Sequence, residues 1–118
     1  MSGFSIARFV SKAQALKAVP TPDGKRFREL FRHGSLEVEI YRPVGIDPQS
    51  PHTRDEAYVV IEGTGTFVIE SNRVALGPGD FLFAPAHVPH RFEDFSDDFA
   101  VWVLFYGPEG GEVANQKT

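Results

Sequence analysis

Apolar and polar positions along this chain change over in short blocks, and Gly, Pro, Asn and Asp stand between the blocks. Blocks of about four to eight residues rich in aromatic and β-branched side chains read as strands, because such side chains pack well on a pleated surface. The pattern predicts strands over Phe4–Val10, Arg26–Phe31, Leu36–Tyr41, Ala57–Glu62, Thr66–Glu70, Arg73–Leu76, Asp80–Ala84, His90–Phe92 and Phe99–Tyr106. Turns fall at Gly63-Thr64-Gly65, Ser71-Asn72, Gly77-Pro78-Gly79, Pro85 with Pro89, and Ser96-Asp97-Asp98. One short helix is predicted near the N-terminus. Ser11 can cap its first turn, Gln14 can reach back to the Ser11 backbone, and Ala15 to Ala18 are good helix formers that Pro20 and Pro22 then stop. The fold class is therefore all-β with one helix.

Two runs break the alternation. "FAVWVLFY" at 99–106 is apolar at odd and even positions alike, and "AYVVI" at 57–61 nearly so, which predicts strands covered on both faces. In a chain this short a second copy is the expected cover, so a homodimer is predicted; the alternative is that the N-terminal strand and helix, residues 1–25, fold over that face. The polar, glycine-rich "GPEGGEVANQKT" at 107–118 offers little apolar surface and is expected to fray.

With 118 residues the chain suits a single domain with a real core. It contains no cysteine, so a metal would have to be held by nitrogen and oxygen. The net charge of −4 and the lack of any Lys/Arg run longer than Lys25-Arg26 speak against a nucleic-acid partner. No stretch reaches the roughly 20 apolar residues of a membrane span, and the N-terminus lacks the apolar core of a signal peptide. A cytoplasmic protein with no membrane partner is the expectation.

The candidate chemistry lies in "PHTRDEAYVVIEGTG". His52 and Glu56 are an even number of residues apart and point the same way if the segment stays extended. His90 ends "PAHVPH", where two prolines stiffen the approach. Two imidazoles and a carboxylate suit a divalent transition metal with open coordination positions: Fe, Mn, Zn, Ni, Co and Cu all accept such a set. A short H-x-x-x-E is equally the pattern of solvated residues at a loop mouth.

These residues resemble the two consensus motifs of the small single-domain cupins, G-x5-H-x-H-x3,4-E-x6-G and G-x5-P-x-G-x2-H-x3-N. His52, Glu56 and Gly63 fit the first; Gly79, Pro85 and His90 fit the second. The resemblance implies an antiparallel double-stranded β-helix, the jelly-roll barrel, with a metal held inside by His52, Glu56 and His90, and often a dimer. Ser50 stands where the first motif has its other histidine, leaving three ligands. His87 replaces a glycine and Asp94 an asparagine.

Around this set, Tyr58 shares the parity of Glu56 and is a candidate to hydrogen-bond a small-molecule substrate. Arg54, between His52 and Glu56, could hold a carboxylate or phosphate, or pair with Asp55 as a surface charge. Gln49 is read as a loop residue or an outer donor, His87 as solvent-facing or else an added ligand or proton-transfer group near the cavity, and His33 as solvent-facing. Several of the aromatics are expected to line a cavity for a small molecule. The function expected is a dioxygenase-like or isomerase-like metalloenzyme; the alternative is a non-catalytic binding or sensing cupin.

Overall fold

In the computed structural model, which describes residues 8–113, one helix and eight strands follow each other: α1 (Lys12–Lys17), β1 (Phe27–His33), β2 (Leu36–Tyr41), β3 (Asp55–Glu62), β4 (Gly65–Ile69), β5 (Asn72–Leu76), β6 (Phe81–Ala84), β7 (His90–Glu93) and β8 (Ala100–Tyr106). They form a five-stranded sheet, β1-β2-β8-β3-β6, and a three-stranded sheet, β5-β4-β7. Every pairing is antiparallel. This is the all-β jelly-roll barrel that the alternation and the motifs predict.

Tyr58, Val60, Phe67, Phe92, Phe99, Val101 and Val103 meet between the sheets as the main core. On the outer face of the larger sheet a second cluster joins Ala15, Ala18 and Val19 from the helical arm to Leu30, Ile40 and Ala100, with Ile61 and Trp102 packed against it. This explains why β3 and β8 are apolar on both faces, and the cover over Ala100 and Ile61 comes from within the chain rather than from a second copy. At the other side of that face Phe81 and Phe83 stay exposed, by 66% and 40%.

The helix cap forms as predicted. Gln14 N–H donates to Ser11 Oγ at 3.0 Å and Ser11 N–H to Gln14 Oε1 at 2.8 Å, so two otherwise orphaned donors are satisfied. The strand predicted over Phe4–Val10 is not found where it can be checked. Residues 4–7 lie outside the described residues, and Arg8–Val10 have no strand partner. Val10 instead packs against the second cluster, to which Ala15 belongs, so its apolar side chain serves the helix entry.

Residues 107–112, within the segment expected to fray, are hydrogen-bonded to the loop before β3 and to its first residue. Gly110 N–H donates to the Thr53 carbonyl at 2.6 Å, and Glu112 N–H to Asp55 Oδ2 at 2.7 Å. Polar anchoring replaces the apolar surface this segment lacks; residues 114–118 lie outside the described residues.

Candidate metal centre

β3 carries Glu56 and Tyr58 on its inward face, in the larger sheet, while His90 opens β7 in the smaller one. His52 comes from the loop leading into β3. Two hydrogen bonds hold that loop against the turn before β7: His87 N–H to the His52 carbonyl at 2.7 Å, and Ala86 N–H to Asp55 Oδ1 at 2.9 Å. The prolines at 85 and 89 bracket the turn, Val88 N–H closes it onto the Pro85 carbonyl at 3.2 Å, and His87 sits at its exposed tip with φ +68°. The result brings together three side chains that are far apart in sequence.

The ligand atoms of His52, Glu56 and His90 all lie within 4.8 Å of one another. Glu56 Oε1 is 3.1 Å from His90 Nε2 and 3.7 Å from His52 Nε2. The Glu56 and His90 side chains are almost fully buried, whereas His52 is 37% exposed and forms the open side. An edge-on contact with Phe105, ring centres 5.1 Å apart, holds the His52 ring.

The donor chemistry fits a cation. His90 Nδ1 lies 2.8 Å from the Val88 carbonyl, which can only accept, so the ring proton belongs on Nδ1 and Nε2 presents a lone pair. That lone pair faces Glu56 Oε1, a second acceptor when ionised, with the Tyr58 hydroxyl 3.0 Å away. Gln49 claims the Tyr58 proton: its Nε2 donates to Asp47 Oδ2 at 2.5 Å, which leaves its Oε1 to accept from Tyr58 at 3.1 Å. Two buried acceptors therefore face each other and need either an added proton or a metal ion between them. In the proton-filled state burial alone would push the His90 pKa down, but the bond to Glu56, the Val88 carbonyl and the charges of Glu56 and Asp47 outweigh it and hold the pKa above its ordinary value. Burial, reinforced by the charge of Glu56, pushes the Tyr58 hydroxyl well above the usual tyrosine range.

A cavity of about 600 Å³ opens beside these residues, floored by inward side chains of β1, β2, β8 and β3 and roofed by residues 43–49. Asp47, itself buried, pins the roof: it accepts from the Phe92 N–H at 2.8 Å, from Gln49 and from the Tyr41 hydroxyl. Glu39 lines the cavity from β2; burial, then the neighbouring charges of Glu37, Glu56 and Glu29, raise its pKa to about 7. Burial and the Asp47 contact likewise raise that of Tyr41.

Arg54 does not join the cavity. The parity argument needs extended chain from 52 onward, but β3 begins only at Asp55. The Arg54 guanidinium turns instead to Glu37 at 2.7 Å, to the Gly107 carbonyl at 3.1 Å and to the Ser35 carbonyl. Nor is Asp55 its partner, since that carboxylate is committed to Ala86 and Glu112. Arg54 fastens the loop that carries His52. His33 is exposed. Sequence reading missed Asp47 and Glu39. The Asp47-Pro48 turn signal was visible, and "LEVEIY" alternates, but nothing local says that its acidic face looks inward.

With the geometry in hand, comparison with known proteins is decisive on one point: the Cupin domain family matches residues 37–106. The chain is a cupin. It is 35% identical over 96 residues to an uncharacterized protein of Streptomyces coelicolor, covering 80% of this cupin and 91% of that relative. It is 33% identical over 70 residues to the dimethylsulfoniopropionate lyase DddQ of Ruegeria pomeroyi, 58% of this chain but only 35% of the lyase. The crystal structure of that lyase superposes with a TM-score of 0.62 at 25% identity, over 86% of this chain and 57% of the lyase chain. KdgF from a Halomonas species superposes with a TM-score of 0.61 at 22% identity over 70% of this chain and 80% of its own, a likeness of fold. Among the described residues no helix is long and apolar enough to cross a membrane.

Proposed function

We propose that this cupin is an enzyme that holds one divalent transition-metal ion on His52, Glu56 and His90 and acts on a small organic molecule by moving a proton, the chemistry that lyases and isomerases share. The observation that carries the reading is the His90 Nε2 lone pair aimed at the Glu56 carboxylate 3.1 Å away, with His52 closing the third side. When bound, the ion supplies a Lewis acid that polarises a substrate oxygen. The likeness to a lyase supports proton chemistry over the dioxygenation that the ligand set alone would also allow.

The chain's own groups divide the remaining work. Tyr58, kept protonated by burial, gives its proton to Gln49 Oε1 and so turns an acceptor lone pair toward the ligand set, where it can take a hydrogen bond from a substrate. Glu39, whose carboxyl changes protonation near neutral pH, is the cavity group suited to take up or return a proton. The core shields Glu56 and His90 from water and His52 faces the cavity opening. A homodimer joined near Phe81 and Phe83 belongs to the same proposal, supported by their exposure on one sheet face.

Metal analysis of protein purified without chelator, beside His52→Ala, Glu56→Ala and His90→Ala, tests the reading. Near-stoichiometric metal that disappears in each variant is the expected result. No metal in the parent, even after reconstitution with Fe(II), Mn(II), Ni(II) or Zn(II), would sink it. Light scattering of the parent against Phe81→Ser tests the dimer.

A further inference from the structure

The metal corner occupies one end of the cavity, and the rest of that space has a different chemistry. The floor follows the strand order β1-β2-β8-β3. Along one row Tyr58 lies opposite Val103 and Val103 opposite Glu39; along the next Val101 lies opposite Tyr41 and Tyr41 opposite Phe27. Phe27 lies in the row that meets β3 at Val60, so from Glu56 to Phe27 is three inter-strand steps of about 4.8 Å across the sheet and four residues of about 3.3 Å along it, or about 20 Å in all. The roof turns at Gly45, φ +75°, where Ile46 N–H closes onto the Val44 carbonyl at 2.8 Å. Val44 and Ile46 flank this turn and are 59% and 74% exposed, yet both line the cavity, as does Phe27 at 47%.

Single exposed apolar residues on a protein surface are ordinary; three large ones converging on the mouth of one cavity are not. A site for a small hydrophilic acid would gain nothing from them. Val103 and Phe105 continue the apolar surface from this mouth to the ligand set, so a path with apolar walls joins the two. Glu39 and Glu56 place carboxylates on the same space, which disfavours a ligand with several negative charges.

We propose that the ligand of this cavity is an elongated molecule with a single oxygen-bearing head, which reaches the His52–Glu56–His90 corner, and an apolar arm that runs across β8 and β2 toward Phe27, beneath Val44 and Ile46. This rests on the metal reading above and names the substrate class for it. The roof residues select the arm, since each methylene they remove from water strengthens binding. Arg26, which also lines the cavity and donates through Nε to the Arg42 carbonyl, offers the competing choice of a second carboxylate at the far end.

Isothermal titration of Ni(II)-loaded protein with pyruvate, 2-oxopentanoate, 2-oxooctanoate and 2-oxosuberate decides between them. Affinity should rise about twofold to fourfold per methylene, so that 2-oxooctanoate binds about 30-fold or more tighter than pyruvate. That ratio should collapse in Ile46→Ser and in Phe27→Ser, both at exposed positions and both checked for folding by circular dichroism. A flat series, a ratio unchanged in both variants, or 2-oxosuberate binding tighter than 2-oxooctanoate would each overturn the inference. Pyruvate binding that requires nickel, with a flat series, removes the apolar arm and leaves the metal reading standing; protein that retains no nickel removes both.

Discussion

Replacing Glu39 by glutamine should stabilise the metal-free protein, and by more at alkaline pH than in mild acid. The carboxyl sits on the inner face of β2 with like charges around it, and its pKa in the folded state is raised to about 7 from the ordinary carboxylate range. A group raised in this way binds its proton more tightly folded than unfolded, so its stabilising contribution is full below the unfolded pKa and is lost as pH rises through the folded one. Between about pH 5.5 and about pH 8 a shift of that size removes about 2 kcal/mol. Glu39 is only partly buried, and solvent screening brings this nearer 1 kcal/mol. Glutamine cannot ionise and keeps a similar shape. Urea unfolding of chelator-treated parent and Glu39→Gln at the two pH values therefore gives a difference in stability that widens by about 1 kcal/mol toward alkaline pH, a midpoint change of about 0.5 M. Parallel pH dependences of the two proteins would refute the placement of an ionising carboxyl inside the cavity.

Other perturbations read other parts of the structure. Gly63→Ala puts a Cβ 2.6 Å from Phe99 Cα at a residue with φ +81°, so thermal unfolding should show a loss of about 2 kcal/mol or more. Asp47→Ala strips the buried Phe92 N–H of its acceptor and frees the cavity roof; a loss of about 2–4 kcal/mol in denaturant unfolding is expected, with faster amide exchange at Phe92. A divalent ion at about 100 times its dissociation constant should add about 2.7 kcal/mol to the parent's stability and nothing to that of His90→Ala, as calorimetry with and without chelator will show.

The alternation rule recovered the strands because eight short blocks with Gly, Pro and Asn between them leave few other ways to cover apolar surface. The motif spacing, rather than alternation, singles out His52, Glu56 and His90, which stand at fixed distances from Gly63 and Pro85, two residues that set turns, and the structure brings the three side chains together. What it could not recover is which side of a strand is inside. In "LEVEIY" the apolar Ile40 faces the helical arm, while Glu39 and Tyr41 face the cavity, the reverse of what a sheet with one wet face would give. The orientation depends on α1 lying over the outer face, a long-range fact with no local signature. Arg54 went astray for a related reason: parity assumes extended backbone, and the chain reaches β3 one residue too late for it. The roles of Asp55 and Asp47 were not legible because nothing nearby in sequence shows that the N–H groups they accept from belong to residues 86, 112 and 92.

The strand that comes last in the sequence is in the middle of the larger sheet: β8 pairs with β2 on one side and β3 on the other. During synthesis residues 52, 56 and 90 all emerge before β8 exists, and until Ala100–Tyr106 follow, β3 has only the short edge strand β6 to pair with and the cavity has no floor between Glu39 and Tyr58. Pairings this distant along the chain close slowly. Assembly of the ligand set is thus among the last events of folding, and a chain that stops before β8 would carry all three ligands without a place to put them.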